Sequence, residues 1–339
     1  MSISTTAKLE ALRDALAKSP DRYVLYRHLK NSSTSLLRHA ILVTVHRKWS
    51  ANPPHRLTEL GITTYDLAST NQGLPSMAGP HAEDLLRQVW CLHLVIRSTA
   101  HLDSTPTGLD PFHFGTTVYV SQEEALELLD LIWHQPMDEN KAASGFRPII
   151  YMSFGANNSI SKMRKTAFDF DPCSLDTTVA TLDAQVIPQQ VKLTRHADAS
   201  FTYLLQQFKI SVHHPENSGN AAMYATMIAT LSVLRVEIYS CPENKVAKPG
   251  QIGQSSCKSA EFVVQSLMDW PTPAPPFGVQ MYCWRCGSGE HAFVECPNAD
   301  LECSWCAGSV QEWRRKNAGT HTQGLCANRQ GYKKEKRPI

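Results

Sequence analysis

Residues 208–213 read Phe208-Lys209-Ile210-Ser211-Val212-His213, and residues 220–234 read Asn220-Ala221-Ala222-Met223-Tyr224-Ala225-Thr226-Met227-Ile228-Ala229-Thr230-Leu231-Ser232-Val233-Leu234. Residues 235–240 follow as Arg235-Val236-Glu237-Ile238-Tyr239-Ser240. The outer runs, with β-branched and aromatic residues in short supply of turn formers, predict strands; the long run, free of Gly and Pro, predicts a helix. Strand, helix and strand in succession form a simple or split β-α-β unit, which assigns the chain to the α+β class.

Upstream of this unit, Thr116 to Val120 predicts a strand. Ser121 with Glu124 forms a capping box for a helix from Gln122 to about His134. Pro148 to Phe154 and Ala167 to Phe170 are predicted strands as well. Before residue 110 the spacing predicts helices. The first, over 4–18, carries Leu9, Leu12 and Leu16. The second, over 33–49, carries Leu36, Leu37, Ala40, Ile41 and Val45. The third, over 82–97, carries Leu85, Leu86, Val89, Trp90, Leu94 and Val95. The expected plan is therefore a helical region at 1–110 and a mixed α/β middle region at 111–270, which are free to form one unit.

Downstream, 241–257 is a polar loop and 259–270 a further predicted helix. Pro271-Thr272-Pro273-Ala274-Pro275-Pro276 then makes 271–277 a semi-rigid linker. It leads into a small Cys/His module at 278–327 and a basic tail at 328–339.

Six of the ten cysteines fall between Cys283 and Cys326. Cys283, Cys286, His291 and Cys296 are spaced C-x2-C-x4-H-x4-C, the spacing of a CCHC knuckle. Cys303, Cys306, His321 and Cys326 keep both half-motifs but part them by an inserted loop. Two thiolates two residues apart grip a metal from one tight turn, and the His and last Cys complete a tetrahedron of ligands that Zn2+ favours. Two Zn2+ ions are thus the expected cofactors. Free buried thiols leave the histidine positions unexplained, as does a disulfide framework. The short run between Cys286 and His291 favours consecutive sites over cross-braced ones.

The chain has 339 residues, 42% of them hydrophobic and 19% charged, enough to bury a core and unlike a disordered segment. Its formal charge of +2 hides an asymmetry. From Cys303 onward Arg314, Arg315, Lys316, Arg329, Lys333, Lys334, Lys336 and Arg337 face only Glu312 and Glu335, whereas between 277 and 302 Arg285 faces Glu290, Glu295, Asp300 and Glu302. Positive charge that can meet phosphate therefore gathers around the second Cys/His set and the tail. The N-terminus lacks the basic and apolar regions of a signal peptide, and no apolar run reaches the roughly 18 residues of a membrane span. The expected location is intracellular, cytoplasmic and/or nuclear, not secreted and without a membrane.

Elsewhere the residues predict little chemistry. Asp169 and Asp171, on one strand face, offer a divalent-cation pair but read rather as the polar face of an edge strand, and His213 and His214, candidate acid-base or metal groups, would point to opposite faces. Cys91, Cys173, Cys241 and Cys257 have no mutual ligand spacing. With no phosphate-binding glycine loop, nucleophile elbow or H-E-x-x-H motif, the expectation is a protein that is not an enzyme.

Gly287 after the second Cys, Trp284 between the first two, Pro297 after the last, Cys306-Ala307-Gly308 and His321-Thr322-Gln323-Gly324-Leu325-Cys326 carry a resemblance. Over about 45 residues the segment resembles the tandem knuckles of Gag-like nucleic-acid-binding proteins of retrotransposons, especially first open reading frame proteins of non-LTR elements. The resemblance implies binding of RNA or single-stranded DNA, with self-assembly and packaging by the body. Trp284, Phe293 and Trp305 would stack bases while Arg285, Arg314, Arg315, Lys316, Lys333 and Lys334 hold phosphates. Glu290 before the His and Glu295 before the last Cys depart from the family pattern. An acidic first knuckle also suits a protein-interaction adaptor, and a cellular RNA-processing factor would share the binding chemistry.

Overall fold

The structure is a computed structural model that describes residues 5–30, 36–53, 55–66, 81–102, 109–138, 145–155, 168, 170–239 and 259–328. Its centre is a mixed six-stranded sheet: β1 (Ile41–Trp49), β2 (Leu57–Asp66), β3 (Trp90–Ile96), β4 (Thr117–Val120), β5 (Ile149–Ser153) and β6 (Thr178–Asp183), in spatial order β4-β3-β2-β1-β5-β6. The β1–β2 and β2–β3 pairs are antiparallel, whereas β3–β4, β1–β5 and β5–β6 are parallel. With helices on both faces, the fold is α+β, as the sequence implies. Strands from before and after residue 110 share this one sheet.

Alternation along the strands builds two cores. Ile41, Val43, Val45, Leu60, Ile62, Leu92 and Leu94 pack beneath the helix Gln122–Trp133, which is held at its start by the expected capping box: the Ser121 hydroxyl accepts from Glu124 N, and the Glu124 carboxylate accepts from Ser121 N. The opposite face, with Leu42, Tyr65 and Ile150, is covered by the helices Thr5–Ala17 and Asp21–Leu29 and by the central helix Ser218–Val233. Every residue of the central helix is buried, as its nearly all-round apolar sequence requires.

Several local expectations are corrected. The helix predicted over 33–49 is β1 from Ile41 onward, and most of the one predicted over 82–97 is β3, preceded by the single helical turn Glu83–Leu86. Both strands are buried on two faces, so apolar residues run together and coincide with helical spacing; the period-2 signal of a half-exposed strand is lost. Phe208–His213 is not a strand, because the chain turns at Lys209 and His214, both at positive φ, after a short helix Phe201–Gln206. Arg235–Tyr239 is a helical turn continuing from the central helix. The β-α-β unit is therefore absent, although its helix is real and the class it implied holds. Phe168 and Phe170 lie outside any strand, while Asp169, the 241–257 loop, Cys241 and Cys257 lie outside the described residues.

The proline linker follows the sheet edge. Thr272 N donates to Phe114 O, the Thr272 hydroxyl accepts from Cys91 N, and Val279 bridges to Tyr119 of β4. This route delivers the Cys/His segment onto the body.

Candidate functional site

The two Cys/His sets assemble as their spacing implies. Cys283, Cys286, His291 and Cys296 form one group and Cys303, Cys306, His321 and Cys326 the other, the ligand atoms of each lying within 4.8 Å of one another. In the first, Cys283 N donates to Ser288 O and Gly287 N to Cys283 O, a turn that needs Gly287 at φ 84°. In the second, Cys306 Sγ lies 3.6 Å from both His321 Nε2 and Cys326 Sγ, and Thr320 Oγ1 stands 3.0 Å from His321 Nδ1, orienting the ring. The inserted loop folds as the short helix Glu312–Lys316. Each set can hold one metal ion.

Neither module swings free. Trp284 is 3% exposed and stacks on Phe293 at 4.7 Å and 11°, and the pair packs with Val95, Ala100 and Tyr119 of the body. The His321 ring lies 3.9 Å from that of His101, whose Nε2 accepts from Ala327 N. Burial, then the nearby His321 and Arg56, pushes the His101 imidazole well below its usual range. Thr322 N donates to Arg285 O, tying the modules to each other.

This docking changes what the expected contact residues can do. The faces of Trp284 and Phe293 meet each other, and the Arg285 guanidinium lies 4.5 Å over Phe293, so these three form a closed stack. Trp305 is half-buried against the second set. Arg314 is buried, Arg315 donates to Ser309 O and Val310 O, and Lys316 is exposed in a pair with Glu312. Lys333 and Lys334 lie outside the described residues.

A second constellation, missed by sequence reading, lies where the central helix meets the sheet. Glu59 of β2 is 2% exposed; its carboxylate accepts from Lys48 Nζ at 2.8 Å, His93 Nε2 at 3.1 Å and Ser218 N at 3.2 Å. Burial alone would raise its pKa, but the hydrogen bond from His93 and the Lys48 ammonium hold it down at about 2. His46, two residues before Lys48 on the same face of β1, is half-buried and pushed down to about 4 by desolvation. Thr226 of the central helix meets the hydroxyls of Thr44 and Thr63 at 2.9 and 2.8 Å. The available signal was polar residues isolated within apolar strand runs, Glu59 before Leu60 and His93 between Leu92 and Leu94. A strand interior tolerates such residues only when they are partnered.

Residues 41–233 match DEDDh_C, described as the DNA polymerase III subunit epsilon-like, C-terminal domain. The chain belongs to the DEDDh_C family. The match begins at the first residue of β1 and ends at the last of the central helix, so DEDDh_C membership covers the whole sheet. No curated protein matches the chain. Among solved structures, the X-ray structure of the RNase domain of the yeast Pop2 protein is similar at 9% identity, covering 70% of this chain and 85% of that one, with a TM-score of 0.27, too weak a superposition to carry an inference.

DEDDh_C membership overturns the Gag-like resemblance, which rested on about 45 C-terminal residues, and with it the retroelement packaging role, the self-assembly and the adaptor alternative. It equally corrects the expectation that the chain is not an enzyme, since the family is one of nucleases. The expectation of two Zn2+ ions as the cofactors is corrected too, because the cation this family implies is Mg2+ or Mn2+. No helix among the described residues is long and apolar enough to cross a membrane.

Whether this chain's residues fit such a cation is decided by its carboxylates. Mg2+ and Mn2+ are held by converging oxygen ligands. Among the described residues the groups of three or more metal-ligating side chains are the two Cys/His sets, both outside the DEDDh_C match. Among the described residues the fit fails, and no catalytic step through Mg2+ or Mn2+ is derived.

Proposed function

We propose that this chain acts on nucleic acid as a member of the DEDDh nuclease family, with RNA or single-stranded DNA held jointly by the body and the C-terminal modules. The observation that carries this reading is the coincidence of the family match with the complete sheet and central helix. The positive balance of the sequence from Cys303 to the C-terminus supports it, and the described part of that segment is docked beside the β1–β2 hairpin, where Trp313 and Asn328 line a small hollow with Ser50, Asn52 and Pro53. In this reading the two Cys/His sets are structural: each holds one metal ion, which fixes the small module that presents Lys316.

The test is fluorescence anisotropy of end-labelled single-stranded RNA and DNA with the full chain across a potassium chloride series. Binding is expected to weaken with salt, log affinity falling by about 0.7 per phosphate contact for each decade of salt. No affinity at low salt, or affinity indifferent to salt, would sink the reading. Strand shortening on a sequencing gel, measured in the same mixtures, reads cleavage separately from binding.

A further inference from the structure

The failure of the cation fit has a definite geometry. Three carboxylates are buried among the described residues of the matched region: Glu59, Glu83 and Asp183. Glu83 accepts from His81 N at the start of a helical turn, and Asp183 accepts from Gly155 N and Gln185 N. Both are engaged by backbone N–H groups. Glu59 alone faces the central helix from the middle of the sheet, and donors already surround it.

The donors can be assigned. Asn217 caps the central helix, its Oδ1 accepting from Gly219 N and Asn220 N, so its amide nitrogen is the atom directed at Asp110 O and at His93 Nδ1. His93 Nδ1 is therefore an acceptor, shared by Asn217 and the Thr117 hydroxyl at 2.9 Å, and His93 Nε2 carries the proton that it donates to Glu59. With Ser218 N on the same oxygen and the Lys48 ammonium on the other, both carboxylate oxygens are engaged. The cluster is one anion, one cation and a neutral imidazole. A divalent ion entering here would meet Lys48 at close range with no second carboxylate among the described residues to offset its charge, an arrangement a buried site does not sustain.

We infer that this face of the sheet is closed to divalent cations, with Lys48 standing permanently as the counter-charge of Glu59, so that the body handles nucleic acid without Mg2+ or Mn2+. The inference rests on the family membership and not on nucleic-acid binding, so the two can fail independently.

Mn2+ is the probe. The full chain, with the metal of its two Cys/His sets left in place, is titrated with MnCl2, free ion being read from its electron paramagnetic resonance signal, and strand affinity and strand shortening are compared with and without added Mn2+. The wild type is expected to leave millimolar Mn2+ free, and both strand readouts to be the same with and without added Mn2+. Uptake of Mn2+ at micromolar concentration, or strand shortening that rises on its addition, would overturn the inference. Lys48→Glu places a second carboxylate beside Glu59; with the fold checked by far-ultraviolet circular dichroism, it is expected to raise Mn2+ affinity about tenfold or more. A folded Lys48→Glu protein with no gain would show that Lys48 is not what closes the face. Should that variant not fold, the wild-type titration alone still decides.

Discussion

Gly61→Ala is expected to unfold the body. A Cβ at this position of β2 would lie 1.7 Å from Ser218 O, 2.2 Å from Ser218 C and 2.6 Å from Gly219 N. These are backbone atoms at the first turn of a fully buried helix, so no rotamer change can make room. Relief requires the helix to lift from the sheet, which separates Ser218 N from Glu59 and Thr226 from Thr44 and Thr63. Ordinary overpacking costs about 1–3 kcal/mol; a backbone clash of this depth is expected to exceed about 4 kcal/mol. Urea unfolding followed by circular dichroism measures it. Gly319→Ala is the control: its Cβ would meet nothing within 4 Å, and a change within about 0.5 kcal/mol is expected. A Gly61→Ala protein with the wild-type urea midpoint would mean that helix and strand do not approach this closely.

The second large effect is acid instability beginning near neutrality. His28, buried in the helix Asp21–Leu29 against Tyr65, and His46, half-buried on β1 against Phe201, are both lowered from 6.5 to about 4, in each case chiefly by desolvation. The unfolded chain takes up these protons near pH 6.5, whereas the folded one resists them until about pH 4. Their contribution is therefore complete above pH 6.5 and declines as the pH falls toward 4. Each imidazole accounts for about 3 kcal/mol over that window, and the two together for about 6 kcal/mol. Glu59, depressed to about 2, extends the loss downward from its unfolded value near 4.5. Urea midpoints at pH 7 and pH 4.5 should differ strongly, and His46→Gln should remove about half of the slope. A midpoint unchanged between the two pH values would refute the buried neutral imidazoles.

What could be read from the chain depended on how local the determining physics was. The capping box at Ser121 and Glu124 and the apolar helix around Met227 are set by residues a few positions apart, and both are present in the structure; the spacing from Cys283 to Cys326 brings each set of four ligand atoms within 4.8 Å. β1 and β3 were read as helices because their character is decided by burial on both faces of a sheet whose other strands lie far along the chain. The Lys48–Glu59–His93 cluster was invisible for the same reason: its members come from three strands and meet a helix over 150 residues away from Glu59. The nuclease-family character resides in that non-local framework. The most conspicuous motif therefore pointed away from it, since it belongs to a segment outside the matched region.

The contacts of Trp284 with Tyr119, of His321 with His101 and of Thr322 with Arg285 make the C-terminal modules part of one solid piece with the sheet. A module on a loose tether explores a volume, and its effective concentration at a neighbouring site falls gradually with tether length. Here that concentration is fixed by the docked geometry, and no ordering entropy is lost when both surfaces engage one strand. Affinity measured against oligonucleotide length should accordingly rise in a step once the strand spans body and module, rather than climbing smoothly. The height of that step would measure the avidity built into the fold.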